Sequence, residues 1–211
     1  MYIPSPFRVE DPDAISAFMQ QFDFAAVVTH SDADGLVASH VPVLIRKVGA
    51  DLRIVGHLAR ANSHWRLMNG RSESMVIFQG PHAYVSPSWY AAVHGAVPTW
   101  NYAVVHAYGR PQAREDTDFV KEVVEELTTR HEGDRDSPWS ADVLPTDSYE
   151  RLLGAIVGFE MPITRFDAKF KLGQNRSAQD RAGAIAGLER EKSSGTADLA
   201  DFMRRYRGGV S

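Results

Sequence analysis

The sequence predicts a small closed antiparallel β-barrel with helices packed around it, an α+β chain whose centre is mainly β. Three observations carry this. Apolar runs of strand length follow one another across tight turns between residues 24 and 58, which is hairpin patterning. Strands and helices do not alternate, so a doubly wound parallel sheet is excluded. The clearly helical patterns sit at the beginning, after residue 115 and in the last third, where they can pack outside a barrel.

The elements follow in order. Asp11-Pro12-Asp13 is a helix start, a capping carboxylate followed by a proline whose missing N–H costs nothing there. Ile15, Phe18, Met19 and Phe22 continue it at helical spacing. FAAVVTH (Phe24 to His30) is a strand, and Asp32-Ala33-Asp34-Gly35 turns it into a second, Leu36 to Lys47. Gly49-Ala50-Asp51 turns into a third, LRIVGHL, and ESMVIFQG (Glu73 to Gly80) is a fourth. PHAYVSPSWYAAVHGAVPTW reads as a loop of a length usually reserved for function. Asn101 to Arg114 is a long strand. DTDFVKEVVEELTTRHE is an amphipathic helix with Phe119, Val120, Val123, Val124 and Leu127 on one face. YERLLGAIV is a shorter helix, and Gly158 to Leu172 is the last strand. Ser177 with Asp180 caps a further helix, and Thr196 opens the final one, ending in Arg204, Arg205, Tyr206 and Arg207.

Composition narrows the chemistry. Of 211 residues, 44% are hydrophobic and 24% charged, which suits one globular domain. A net charge of −4 argues against a generally basic nucleic-acid surface and leaves room for a local patch. The absence of cysteine removes disulfides, thiolate catalysis and cysteine zinc sites. MYIPSPFRVEDPD has no apolar signal core and no run approaches a membrane span, so a cytoplasmic protein without a membrane partner is expected.

No GxGxxG or GxxxxGK[ST] supports a nucleotide loop, no GxSxG a hydrolase and no HExxH a metalloprotease. Among the eight histidines, the spacing of His57 and His64 is not that of helical metal ligands, and no metal site is expected. Gly154/Gly158 and Gly183/Gly187 read as close packing. Thr99-Trp100-Asn101-Tyr102 places a tryptophan beside polar groups where it can cover a planar ligand. In GHLARANSHW (Gly56 to Trp65), Arg60 can pair with a phosphate, the alanines leave the backbone accessible, and Asn62 can cap the turn that follows. An ordinary strand–helix connection with a surface arginine explains the same residues, and the two readings stay open on chemistry alone.

YIPSPF, ASHVP, GHLARANSHW, FQGPHAYVSPSWY, VPTWNYAVVHAYG and KFKLGQNRSAQDR occur in this order across residues 2 to about 181. Together they resemble the PaiB-type FMN-binding negative transcriptional regulators, of the FMN-binding split-barrel group. Gly173 stands where serine is more usual, and Ser63 where proline often is. The resemblance implies a split-barrel domain over residues 1–175 and a helical extension over 176–211, packed on the same domain or on a dimer partner. It implies a homodimer with FMN between subunits. Arg60, Asn62 and, less directly, His57 and His64 would hold the phosphate. Ser39, His40 and Val41 would flank the isoalloxazine, and Gln79 would reach the ring edge or ribityl chain. Trp100, Asn101, Lys171 and Gln174 would close the site.

Three activities share this fold. The first is a repressor acting directly or with a partner, whose DNA contact would be a local patch: Arg165, Lys169, Lys171 and Arg176, or the terminal Arg204, Arg205 and Arg207. The second is a flavin-dependent oxidoreductase or FMN reductase-like enzyme, with no catalytic residue identified beyond His40 and His82 as acid–base candidates. The third is a haem protein with His82 or His94 as axial ligand. The regulator is the leading expectation.

Overall fold

The structure is a computed structural model and describes residues 1–91, 95–191, 193 and 195–206. Among these, seven strands form one sheet: β1 (Phe24–Ser31), β2 (Gly35–Val48), β3 (Asp51–Ala59), β4 (Ser74–Val85), β5 (Thr99–Gly109), β6 (Gln112–Arg114) and β7 (Ile156–Lys171). Their order is β3-β2-β1-β4-β5-β7-β6, and β3 also bonds to β7, which closes the sheet into a ring. The β1–β2, β1–β4, β2–β3, β3–β7 and β6–β7 pairs are antiparallel. The helices are α1 (Pro12–Gln21), α2 (Thr117–Glu132), α3 (Thr146–Gly154), α4 (Ala178–Arg190) and α5 (Thr196–Arg205). None of the described helices is long and apolar enough to cross a membrane.

Local chemistry explains where elements begin. The Asp11 carboxylate accepts from the backbone N–H of Asp13, Asp116 from that of Phe119 at 2.8 Å, and Ser177 from that of Asp180 at 3.1 Å. Each occupies one donor that a helix start leaves free. Three boundaries differ from the sequence reading. β4 runs on through Pro81 to Val85, so the aromatic loop is shorter than expected. The strand after Thr99 breaks at Arg110-Pro111, where proline offers no N–H to a ladder, and resumes as β6. α3 begins at Thr146 and ends at Gly154, while Ile156 and Val157, β-branched, open β7 instead of closing the helix.

The chain forms two compact units. The hairpin unit comprises Met19–Phe78 and His106–Phe166. Here α2 lies on β2 and β3: Leu44 and Val55 pack against Val123 and Leu127, with Phe119 at the margin. Arg46 bonds Glu126 at 2.9 Å, and Glu160 bridges Arg53 and Arg114. A Cβ on Gly56 would lie 2.9 Å from the Phe159 ring, so the strand approaches that ring only because position 56 has no side chain.

The tail unit comprises Met1–Phe18, Gln79–Val105 and Asp167–Ser211. Its core stacks Phe18 and Phe202 around Phe170, with centroids 4.8 and 5.4 Å from the Phe170 ring, and Tyr206 5.1 Å away. Gly183 and Gly187 of α4 lie against Trp89, where a Cβ at either position would overlap the tryptophan, so that pair does mark close packing. Gly154 and Gly158 do not share a helix face: the first ends α3 and the second lies in β7 against Phe119.

Candidate cofactor site

The hairpin unit holds seven of the residues singled out by sequence. Ser39 is the hub of a buried polar chain. Its hydroxyl accepts from the Asn62 amide at 2.9 Å and bonds His64 Nδ1 at 2.9 Å. His64 Nε2 bonds the Thr29 hydroxyl at 2.9 Å, and Thr29 bonds Ser74 at 2.6 Å. A neutral imidazole suits this chain, donating at one nitrogen and accepting at the other. Burial depresses the His64 pKa and keeps the ring in that form. At 1% exposure, with both nitrogens engaged, His64 positions Asn62 and Ser39 rather than facing solvent. Asn62 caps the turn as its sequence suggested, accepting from the His64 backbone N–H at 3.1 Å. The turn itself is a 3-10 helix of five residues, Ser63–Leu67. Strand alternation separates the neighbours of Ser39: Val41 is buried, whereas His40 is exposed and stacks on Phe24.

Arg60 is held by its own unit. Its Nε donates to the Gly154 carbonyl at 2.9 Å, Nη2 to the Ile156 carbonyl at 3.2 Å, and Nη1 pairs with Glu115 at 2.6 Å. The guanidinium therefore clamps the junction of α3 and β7 to the end of β3. His57 does not join the Ser39 chain. It lines a cleft under α2 and α3, and its Nδ1 has no hydrogen-bond partner.

The tail unit holds the other five. Gln79 is exposed and its amide lies 3.3 Å from His82 Nδ1. Trp100 is 54% exposed and lies edge-on to Tyr84 at 6.4 Å, at a recess shared with His82, Trp89 and Thr196. Asn101, the next residue of β5, is buried, and its amide faces the Met203 sulfur. The Gln174 amide is spent on backbone, accepting from Leu172 N at 2.7 Å and donating to the Phe170 carbonyl. It fixes the turn after β7, where Gly173 takes a φ of +79° that a serine would adopt only under strain. Lys171 donates to Thr99 and, at 2.8 Å, to the Trp100 carbonyl. Burial, then the nearby Lys169 and Arg176, lower its pKa.

Lys169, read from sequence only as part of a surface basic patch, is buried in the structure. It is 7% exposed, donates to the Tyr2 carbonyl at 3.1 Å, and faces the rings of Tyr2 and Tyr102 at 5.6 and 5.2 Å. Arg176 lies 4.8 Å over the Tyr90 ring. Among the described residues no carboxylate pairs with Lys169, Lys171 or Arg176. YIPSPF, VSPSWY, PTWNY and KFKLGQNR, far apart in sequence, thus meet as a cationic and aromatic group. The signal that could have shown this is the i, i+2 spacing of Lys169 and Lys171, which puts both on one face of β7, with Phe170 on the other. Of the residues first read as a DNA patch, Lys169 is buried, Arg165 lies over Tyr108, and Arg204 and Arg205 pair with Glu189 and Asp201. Arg207 and His94 lie outside the described residues.

This donor set fits FMN. Three cations without carboxylates suit a phosphate, and a half-exposed indole beside a tyrosine suits a planar ring. Residues 1–165 match the family model described as "Putative FMN-binding domain". The chain is 36% identical to Protease synthase and sporulation protein PAI 2 of Bacillus subtilis (strain 168), covering 96% of each. Among solved structures it resembles the FAD and heme binding protein of Mycobacterium smegmatis, with a TM-score of 0.59, 16% identity and coverage of 84% of this chain and 79% of that one. It also resembles the flavocytochrome Anf3 of Azotobacter vinelandii, with a TM-score of 0.55, 15% identity and coverage of 83% and 75%. At these identities the structures speak to fold alone, and the fold is a split barrel. The full-length match to PAI 2 and the family model together establish that this chain belongs to the PaiB-type FMN-binding split-barrel family, whose cofactor is FMN.

Proposed function

We propose that the chain is an FMN-binding negative regulator of transcription whose Lys169, Lys171 and Arg176 receive the flavin phosphate. The observation that carries this reading is an almost fully buried lysine, with two cations near it and, among the described residues, no carboxylate paired with any of the three. Removing an ammonium from water costs several kcal/mol by general estimate, and tyrosine faces return only about 0.5–2 kcal/mol. A phosphate supplies the missing charge. Trp100 covers the isoalloxazine. Within the hairpin unit, Ser39 and Asn62 are held by His64, and Asn62 spends one of its two amide hydrogens on Ser39. Bound FMN supplies reversible redox chemistry, while the protein orients it and shields it from water.

The homodimer is part of the proposal. Tyr84, Val97 and Trp100 are exposed apolar side chains of the tail unit, of the kind a partner covers. Sedimentation should give a dimer that Trp100→Glu weakens. A wild-type monomer that retains flavin would overturn this element.

The regulatory reading draws on the name of PAI 2 and on the fate of the basic residues. With Arg204 and Arg205 paired to Glu189 and Asp201, Lys171 and Arg176 are the cations through which this reading lets the chain meet DNA, and in the same reading they face FMN. Flavin and DNA therefore compete, which gives the regulator its switch. The test is an anisotropy titration of promoter DNA across a salt series, with and without FMN. The expected result is a salt slope that falls by about 0.9 for each phosphate contact removed by Lys171→Gln or Arg176→Gln, and weaker DNA binding when FMN is present. No DNA binding at low salt favours the flavoenzyme instead, and a visible spectrum of haem type overturns the flavin assignment.

A further inference from the structure

In the hairpin unit, α2, α3 and the segment between them line an open cleft of about 470 Å³ against β2 and β3. Small-molecule sites occupy roughly 300–1,000 Å³. Leu127 and Leu153 are buried in its wall, and Trp139 and Leu152 stand exposed at its edge. Two polar atoms in this apolar setting are themselves buried and have no hydrogen-bond partner: His57 Nδ1 and Tyr149 Oη. Folded proteins pair nearly all such atoms, so two in one cleft need a reason. Neither serves the Ser39 chain or the cationic group assigned to FMN.

We propose that this cleft is a second binding site, for a small, uncharged, ring-containing molecule whose ring lies against Trp139 and whose hydroxyl or carbonyl oxygen bonds His57 Nδ1 and Tyr149 Oη once the side chains that cover these two atoms move aside. The apolar walls set the ring, and the two orphan atoms set the oxygen. Burial lowers the His57 pKa, so the ring is neutral and either donates or accepts. Burial, with Glu125 and Asp142 nearby, raises the Tyr149 pKa and keeps its hydroxyl able to donate. The same carboxylates, with Glu132 in the wall, repel anions, so FMN and nucleotides are excluded. His131, also in the wall, is turned to Asp23 at 3.5 Å. The site does not rest on the flavin reading.

The test uses the flavin-loaded protein and two probes with one ring system, neutral 2-naphthol and anionic 2-naphthoate. Binding is followed by NMR at the His57 imidazole and the Trp139 indole. The expected result is saturable binding of 2-naphthol that shifts both groups, with 2-naphthoate at least about tenfold weaker for want of a cation in the wall. Tyr149→Phe, which keeps the ring, should weaken 2-naphthol about fivefold, the worth of one net hydrogen bond. Leu152→Trp at the exposed edge should block it without disturbing the core. Equal affinity for both probes, no shift at His57 up to the solubility limit, or indifference to Tyr149→Phe would overturn the proposal. So would a dimer that Leu152→Glu dissociates, because a second copy would then be the occupant.

Discussion

His64 shows how much one side chain can organise. Its imidazole links Ser39 to Thr29, and its backbone N–H meets the Asn62 cap. His64→Ala takes one hydrogen-bond partner from each of the buried Ser39 and Thr29 hydroxyls and leaves a cavity where the ring was, and should cost about 2–4 kcal/mol of stability, measured by denaturant unfolding. Burial depresses the pKa of both His57 and His64 below the ordinary 6.5, so the unfolded chain binds more protons as the pH falls. Their contribution is complete above about pH 6.5 and is lost as the pH falls through the depressed folded values. The melting temperature should drop between pH 7 and pH 5, and a flat or rising profile would contradict this. Arg60 carries the other lesson at this scale. From sequence it was a phosphate ligand or a surface arginine, and in the structure its guanidinium is engaged within the protein. Glu115 is 55 positions away, and the Gly154 and Ile156 carbonyls are further still. Arg60→Ala should therefore lower stability by about 1–2 kcal/mol and leave the preference for FMN over riboflavin nearly intact.

Elements were legible where local chemistry decides them. Asp11, Asp116 and Ser177 cap their helices because one side-chain oxygen and one backbone N–H suffice, and both lie within three residues. The hairpin at Gly35 was legible for the same reason, since its φ of +74° is a local demand. The extension of β4 through Pro81 and the helix-to-strand change at Gly154 were not, because neighbours in the sheet decide them. Glycines in the two helices give a paired prediction. Gly187→Ala drives a Cβ into the Trp89 ring and should destabilise by about 1–3 kcal/mol. Gly154→Ala meets nothing within 4 Å and should stabilise by about 0.4–1 kcal/mol. Thermal melts of the two variants, compared with wild type, should move in opposite directions.

Across the whole molecule, what sets the cationic group of the tail unit apart is the burial of Lys169 at 7% exposure beside two further cations. Six ordered blocks made the family and fold legible from sequence. The convergence of Tyr2, Tyr90, Tyr102, Lys169, Lys171 and Arg176 was not, since they come together only when the chain brings its first residues beside β5, β7 and the turn after it. In the proposed function this group reads the FMN phosphate. The direct measurement is the affinity of FMN and of riboflavin, which lacks the phosphate, for wild type, Lys171→Gln and Arg60→Ala, by fluorescence titration. Each charge-assisted contact is worth about 1.5–3 kcal/mol, so wild type should prefer FMN by at least ten- to hundredfold. Lys171→Gln should lose most of that preference, and Arg60→Ala should keep it. Equal affinity of wild type for FMN and riboflavin, or a preference that survives Lys171→Gln and disappears in Arg60→Ala, would contradict the account.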